Sequence, residues 1–316
     1  MPHNGFGNGS TPILQRVGLA GAAARFAQRS YAADYVALGF VVAGWVLIQL
    51  FVNPFHRMFS LDNRAIQYPF AVHERVPVLW SVVFAGLIPF LIILAWSALV
   101  RAGVQKTQVT VLGLFVALML TSLLTDIIKN AVGRPRPDLL SRCKPARGTS
   151  KNALVAWTVC TETNQHILQE GWRSFPSGHS SFSFGGFGYL YLFFCGQMHV
   201  FRPRTDLGRC LLAFFPLLCA LMVACSRLAD YRHDVYDVTC GGLLGMLIAW
   251  FSYRRYYPPL RSVMCDVPYD KADLAGPDGF SKLDDEEAVA RPFIPRSGTS
   301  SEEVYQLQET EPSRST

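Results

Sequence analysis

Long apolar stretches alternate with short polar segments along most of this chain. Six of them, each about 17 to 23 residues long, carry almost no charge: 35–52, 78–100, 109–128, 180–201, 210–226 and 235–253. A helix of this length spans the roughly 30 Å hydrocarbon core of a bilayer. Buried helices of a large soluble core are the alternative, and the scarcity of charge disfavours it. The pattern predicts an all-α, polytopic membrane protein with six transmembrane helices.

The regions that flank these stretches have a different character. Residues 1–33 contain no continuous apolar core beside a cleavage site, so we do not expect a cleaved secretory signal. Within them, residues 12–31 mix apolar and basic side chains, which is typical of either a helix on the membrane surface or a mobile tail. Residues 257–316 are acidic and rich in Ser, Pro and Gly, which predicts a disordered cytosolic tail that is either solvated or used for docking or phosphorylation. The membrane domain is therefore expected at 34–256.

Composition and charge narrow the class of partner. Half of the 316 residues are hydrophobic and only 16% are charged, which favours several membrane spans. Residues 1–260 carry 23 Lys and Arg against 11 Asp and Glu, whereas residues 261–316 carry 6 against 12. A basic membrane domain favours anionic lipid or phosphate as a partner. Nucleic-acid binding is not expected, because no basic run is interleaved with stacking aromatic residues.

Three polar segments lie at the edges of the apolar stretches. The first is 129–137 (KNAVGRPRP), the second 176–179 (PSGH) and the third 226–237 (SRLADYRHDVYD). With six spans, all three fall on the same face of the membrane. Ionisable groups at the rim of the hydrocarbon are costly to desolvate, so their concentration there indicates a functional site. Lys129, Arg136 and Arg227 would surround the charge of a transferring phosphoryl group, although each alone is also typical of a lipid-headgroup anchor.

The second and third segments add titratable groups. His233 and Asp237 are four residues apart, so on a helix they share a face and the carboxylate can accept a hydrogen bond from the imidazole. The other ring nitrogen would then act as a nucleophile or base, although such a pair alone is more typical of a structural contact. Ser177 and Gly178 precede an apolar helix, where free amides bind anions while His179 supplies a proton; a simple helix cap is the alternative. Metal binding by this set is disfavoured, because neighbouring cations would repel the ion.

The cysteines show whether a zinc site or a disulfide bond is expected. None of the eight cysteines forms a C-x-x-C pair, which disfavours a structural zinc site. Cys143 and Cys160 share one polar loop and would form a disulfide in an oxidising compartment, or remain free thiols; the sequence leaves both open.

The distribution of basic residues predicts the orientation of the chain in the membrane. Eight Lys and Arg between the third and fourth stretches oppose a simple positive-inside assignment. If those within the polar segments are discounted, the termini are predicted to be cytosolic and the three segments extracytoplasmic.

The combined spacing K-x6-R-P, P-S-G-H and S-R-x5-H-x3-D resembles the three-part signature of the type 2 phosphatidic acid phosphatase family. That family shares its helical fold with soluble vanadium haloperoxidases. The resemblance covers about 110 residues, and the six-span plan extends it to roughly residues 35–255. It implies catalysis without a metal or other cofactor, independence from Mg²⁺ and sensitivity to vanadate.

The resemblance also implies a role for each residue of the site. His233 is similar to the nucleophile that forms a phosphohistidine, Asp237 to its orienting partner, and His179 to the acid that protonates the departing alcohol. The implied phosphate-binding residues are Lys129, Arg136, Arg227, Ser177, Gly178 and Ser226. Arg134 repeats the Arg-Pro step and is expected to add an outer cation.

The function expected from this resemblance is dephosphorylation of a membrane lipid: phosphatidate, lysophosphatidate or diacylglycerol pyrophosphate. The overall plan with its acidic tail resembles a diacylglycerol pyrophosphate phosphatase. A phosphatase for polyisoprenyl pyrophosphate, sphingoid-base phosphate or a sugar phosphate is the first alternative, because the segments bind phosphate and say little about its carrier. A non-catalytic lipid transporter or scaffold is the second, and haloperoxidase chemistry is disfavoured by the six spans. The site is expected on the lumenal or extracytoplasmic face of an endomembrane (vacuole, Golgi or endoplasmic reticulum) or of the plasma membrane.

Overall fold

The computed structural model describes residues 31–203 and 205–269, and this part of the chain is helical without a sheet. Its helices are α1 (Ala32–Phe51), α2 (Val78–Leu99), α3 (Val104–Val132), α4 (Leu139–Cys143), α5 (Gln165–Glu170), α6 (Gly178–Gln197), α7 (Leu207–Ala229) and α8 (Val235–Tyr256). Short 3-10 turns occur at Arg64–Ile66 and Trp157–Val159. The predicted all-α class is confirmed. The basic segment expected within residues 12–31 lies almost entirely outside the described residues.

Five of the long helices, α1, α2, α3, α7 and α8, are apolar and long enough to cross a membrane. The fourth predicted stretch forms α6, which has a comparable length but a sequence rich in Gly, Ser and Tyr. Most of α6 is buried among the other helices, so its surface does not need to match hydrocarbon. The predicted six spans are consistent with this arrangement, in which five helices and an enclosed sixth form one bundle.

The bundle is organised around α6. This helix packs most extensively against α8 and α7, and also contacts α3 and α2. The largest core cluster joins its buried aromatic residues Tyr189 and Phe193 to Leu112 and Leu114 of α3 and to Tyr253 of α8. The opposite faces of the outer helices expose large apolar side chains such as Phe40, Phe215 and Met222. Burial of this outer surface in lipid is what a membrane-spanning bundle requires.

Helix α2 approaches α6 unusually closely at one point. Residues Val83–Leu87 are wound as a π-helix, and Pro89 has no N–H to donate to the carbonyl group of Ala85, four residues earlier. That carbonyl group lies against Gly186 of α6, where an added Cβ would stand only 1.7 Å from the oxygen. Only glycine fits this contact between the two helices.

The chain after α8 folds back on the bundle, at the end opposite the polar segments. Cys265 is fully buried, and the Tyr269 amide donates a hydrogen bond to the Tyr256 carbonyl at 2.9 Å. Gln197 at the end of α6 donates to the Asp266 carbonyl at 3.0 Å. The predicted disordered tail at 257–316 therefore begins too early, because residues 257–269 are anchored by burial and by backbone hydrogen bonds. Residues 270–316 lie outside the described part of the chain.

The loops at the other end of the bundle have a small core of their own. It contains Phe59, Ile66, Leu139, Leu168 and Trp172, which are buried together. A disulfide bond between Cys143 and Cys160 closes the loop around this core. Of the two states that the sequence left open, the structure therefore has the paired one.

Replacing Gly186 with alanine should destabilise the protein by about 1 to 3 kcal/mol, because the new methyl group meets the Ala85 carbonyl and forces α2 away from α6. Thermal unfolding of the detergent-purified protein measures this change. Gly39→Ala is the matched control, since a Cβ on Gly39 of α1 has no neighbour within 4 Å. Equal unfolding temperatures for the two variants would contradict the close packing.

Candidate active site

The three polar segments meet at one end of the bundle through direct contacts. A methyl group on Gly178 would lie 3.0 Å from Lys129 Nζ, which joins the first segment to the second. The Ser177 amide donates to the Asp237 carbonyl at 2.9 Å, which joins the second to the third. Arg134 Nη1 donates to Asp237 Oδ1 at 2.7 Å, which joins the third to the first. Residues more than 100 positions apart in sequence therefore form one site.

Local structure sets the direction of the first segment. Lys129 lies in the last turn of α3, and the chain then leaves the helix because Pro135 and Pro137 cannot continue it. The Arg136 amide donates to the Gly171 carbonyl at 2.8 Å, which ties the segment to the loop after α5. Lys129 and Arg136 are thereby held at the rim of the bundle.

His233 stands immediately before α8 and is almost fully buried. Asp234 caps that helix, and its backbone N–H donates to Asp237 Oδ2 at 3.0 Å, so a capping box fixes the turn that carries the imidazole. Burial holds the pKa of His233 well below its ordinary value, and the positive charges of Arg136, Lys129 and Arg227 lower it further. The imidazole is therefore neutral near pH 7 and keeps a free nitrogen lone pair.

Asp237 does not make the hydrogen bond to His233 that the spacing predicts. The distance from His233 Nδ1 to Asp237 Oδ2 is 3.8 Å, beyond hydrogen-bond length. The carboxylate of Asp237 is instead occupied by Arg134 and by the hydroxyl group of Ser174, which donates to Oδ2 at 2.5 Å. The i, i+4 spacing brings the two side chains together, but it cannot show that a closer donor competes for the carboxylate.

The three cations predicted from the sequence are all buried. The exposed fraction is 9% for Lys129, 6% for Arg136 and 1% for Arg227. Their charges act together on His233, and all three also interact electrostatically with His179. Among the described residues, Arg136 Nε, Arg227 Nε and His179 Nε2 are buried without a hydrogen-bond partner. Such groups are costly unless a ligand satisfies them, and their chemistry fits an anion.

Two glutamates that the sequence analysis did not identify contact these arginines. Arg136 Nη2 donates to Glu170 Oε2 at 2.7 Å, and Arg227 Nη1 donates to Glu74 Oε2 at 2.9 Å. Burial alone would raise the pKa of Glu170, but Arg136, Lys129 and Arg173 outweigh it and lower this pKa to about 2. Neither glutamate belongs to a polar segment, so no local pattern pointed to them.

The serines of the site act differently from the expectation. The Ser177 side chain caps α6 by accepting a hydrogen bond from the Ser180 amide at 3.4 Å, whereas the amides of Gly178 and His179 precede the first intrahelical bond. Those amides lie at a helix start, where anions bind. Ser226 was expected to join the phosphate-binding set, but its hydroxyl group donates to the Val223 carbonyl within α7 at 2.6 Å. Back-bonding of this kind is a common alternative for a helical serine.

A cavity of about 540 Å³ lies directly against His233. Its wall is formed by Asp237 and Arg134 together with the loop between α1 and α2, which contributes Arg57 and Tyr68. Cavities of this size accommodate small ligands or the headgroup of a larger one. His233 and Asp237 are therefore reachable from the loop side of the bundle.

The sequence is similar to proteins named as phosphatases of phosphorylated lipids. The family model described as "PAP2 superfamily" matches residues 110–260. The chain is 38% identical to "Probable diacylglycerol pyrophosphate phosphatase 1" of Schizosaccharomyces pombe, over 76% of this chain and 86% of that protein. It is 42% identical to "Diacylglycerol pyrophosphate phosphatase 1" of Saccharomyces cerevisiae, over 66% and 73%. It is 34% identical to "Lipid phosphate phosphatase 2" of Arabidopsis thaliana, over 75% and 79%.

Removing the charge of Arg134 should destabilise the protein by several degrees in thermal unfolding, because the fully buried Asp237 carboxylate then lacks its cationic partner. In the Arg134→Gln variant, the additional substitution Asp237→Asn should recover part of the lost stability. A double-mutant cycle of these two substitutions measures their coupling. Arg147→Gln, on an exposed loop, is the control. Strictly additive effects of the two substitutions would contradict the pairing.

Proposed function

This chain belongs to the PAP2 superfamily, and from that premise we propose that it is an integral membrane phosphatase acting on phosphorylated lipids. The observation that carries the proposal is the group of three buried cations around a neutral histidine, with buried donor atoms that have no hydrogen-bond partner in the described part of the chain. Protein groups normally pair with buried charges. A site in which buried arginines keep unpaired Nε donors is suited to an anion with several oxygens, such as a phosphoryl group.

The first chemical step uses His233 as the nucleophile. Its neutral imidazole nitrogen attacks phosphorus, a P–N bond forms, and the bond from phosphorus to the leaving oxygen breaks. Lys129, Arg136 and Arg227 stabilise the charge on the equatorial oxygens. The negative charge of the bound phosphoryl group favours the protonated form of His179, which takes a proton from solvent and gives it to the leaving oxygen, so that the lipid departs as an alcohol or, from a pyrophosphate, as a phosphate monoester.

The second step regenerates the enzyme. Water attacks the phosphohistidine from the side vacated by the leaving group, His179 accepts the proton of that water, and the P–N bond breaks to release inorganic phosphate. Asp237, 3.8 Å from His233 Nδ1, stabilises the positive imidazole during both steps by its charge. In this proposal the carboxylate acts through its electric field, while hydrogen bonds from Arg134 and Ser174 fix its position.

The proposed substrates are diacylglycerol pyrophosphate, phosphatidate and lysophosphatidate. Two of the similar proteins carry the first of these in their names, which favours diacylglycerol pyrophosphate. The apolar outer surface of the bundle supports a lipid as the substrate, because acyl chains remain in the bilayer while the phosphorylated headgroup reaches the rim. A polyisoprenyl pyrophosphate would present the same phosphate chemistry and is the second candidate.

The site is proposed to face the lumenal or extracytoplasmic side. The disulfide bond between Cys143 and Cys160 supports this orientation, since disulfides persist in oxidising compartments. It lies in the loop between the first and second polar segments, at the same end of the bundle as His233. Both termini would then be cytosolic.

His233→Ala should abolish phosphate release from diacylglycerol pyrophosphate and phosphatidate in detergent micelles, by at least about 1,000-fold, because no nucleophile remains. The assay contains a chelator, and a panel with lysophosphatidate and a polyisoprenyl pyrophosphate ranks the substrates. His166→Ala, an exposed histidine of α5, is the matched control and should retain activity.

Survival of phosphate release in His233→Ala would show that His233 is not the nucleophile and would favour a different mechanism. Loss of wild-type activity on adding the chelator would instead require a metal. Rapid quenching of the wild-type enzyme with radiolabelled substrate should trap an acid-labile, base-stable phosphoenzyme, which is the signature of phosphohistidine.

Orientation can be tested with a glycan reporter. Replacing Leu154 with threonine (Leu154→Thr) turns Asn152 into an N-glycosylation acceptor on the exposed loop that follows α4. If this loop is extracytoplasmic, the variant should gain one N-linked glycan. The natural acceptor Asn8-Gly9-Ser10 is the internal control and should stay unmodified in the cytosol. A glycan at Asn8 but not at Asn152 would reverse the proposed orientation.

A further inference from the structure

Each of the two buried arginines of the site is held by one glutamate that also holds a second arginine. Glu74 accepts a hydrogen bond from Arg227 at 2.9 Å and forms an ion pair with Arg232 at 2.8 Å. Glu170 contacts Arg136 at 2.7 Å and Arg173 at 3.2 Å. The same arrangement, one carboxylate between a site arginine and an outer arginine, thus occurs twice.

The Glu74 contact belongs to a short strap, which we define as residues 71–76 between α1 and α2. The strap is bound along its length to the third polar segment. The Val76 carbonyl accepts from Arg227 at 3.0 Å, and the Ala71 carbonyl accepts from Arg232 at 3.0 Å. The Arg75 amide donates to Asp230 at 2.9 Å. Arg227 is therefore hydrogen-bonded to a loop that lies outside the residues matched by the family model.

The Glu170 contact comes from a different loop. Glu170 ends α5, and its neighbour Arg173 donates to the Asn130 side chain of α3 at 3.0 Å. The Arg136 amide is bound to the Gly171 carbonyl immediately after α5. Arg136 is therefore fixed both through its backbone and through its guanidinium group.

These contacts use one terminal nitrogen of each guanidinium group and leave its Nε donor available among the described residues. Arg227 and Arg136 both donate to carboxylate through a terminal nitrogen, while their Nε atoms have no hydrogen-bond partner within the described residues. A flexible arginine loses side-chain entropy when it binds an anion. A carboxylate that fixes the group beforehand removes this cost from binding and from catalysis, as supporting residues do around metal ligands.

We propose that Glu74 and Glu170 are positioning residues of the phosphate site, each holding one arginine so that its unpaired Nε donor meets the phosphoryl oxygens. The inference rests on the proposed phosphatase function. Neither glutamate contacts the reacting atoms; each acts through Arg227 or Arg136. The contribution is to the binding of a phosphoryl group in its five-coordinate state, where correct placement of donors matters most.

Vanadate, which forms a trigonal-bipyramidal adduct with a nucleophile, is the probe. In Glu74→Gln and in Glu170→Gln, we expect the vanadate concentration for half-inhibition to rise about tenfold and kcat/KM for the lipid substrate to fall by a similar factor. Both values are measured on full-length, monodisperse protein in detergent. Glu162→Gln is the matched control, because Glu162 pairs with the exposed Lys144 at 2.6 Å on the same end of the bundle. It should keep the wild-type values.

A purely structural role would lower the yield of folded protein without moving the half-inhibitory concentration, and that outcome would overturn the proposal. Tighter vanadate binding in the variants would also overturn it, because the glutamates would then be competitors of the anion. Where a glutamine variant does not fold, Glu74→Asp or Glu170→Asp decides: a shift in the same direction supports the proposal and a wild-type value contradicts it. If the wild-type protein releases no phosphate from any lipid, the proposed function fails instead.

Discussion

Positive charge buried at the end of a helical bundle, and only partly neutralised by the protein, is the constraint on which this structure depends. Removing an ion from water is costly, and the cost is offset only by well-placed opposite charges and hydrogen bonds. Around this site the carboxylates of Glu74, Glu170 and Asp237 neutralise arginines from the outside. Burial raises the pKa of Asp138 to about 6, although Arg136 and Arg232 lower it, which shows how strongly water is excluded.

The bundle supplies the rigidity that such an arrangement needs. Helix α6 starts at the site and runs through the centre of the molecule, so its first turn is fixed by contacts along its whole length. The Thr125 and Ser181 hydroxyl groups share a hydrogen bond of 2.8 Å just below the site, which sets α3 against α6. Because Lys129 lies one turn after Thr125, this contact also fixes where its ammonium group is placed.

Much of this architecture could be predicted from the sequence because local patterns of apolar and polar residues determine it. Long apolar stretches predicted the helices, and three polar segments predicted His233, Arg136 and their neighbours. What could not be predicted depends on contacts between distant residues. Glu74 and Arg227 are 153 positions apart, and no motif marks the loop that carries the glutamate. The hydrogen bonds of Asp237 to Arg134 and Ser174, and of Ser226 to Val223, were not predicted, because spacing shows which groups are near but not which donor and acceptor pair.

The folded segment after α8 has a consequence for the other end of the protein. The Tyr31 hydroxyl group, at the entrance to α1, donates to the Tyr269 carbonyl at 2.8 Å. The first and last described residues are therefore neighbours, although 238 positions separate them. The Tyr269 amide also donates to the Tyr256 carbonyl, so this one residue ties the start of α1 to the end of α8.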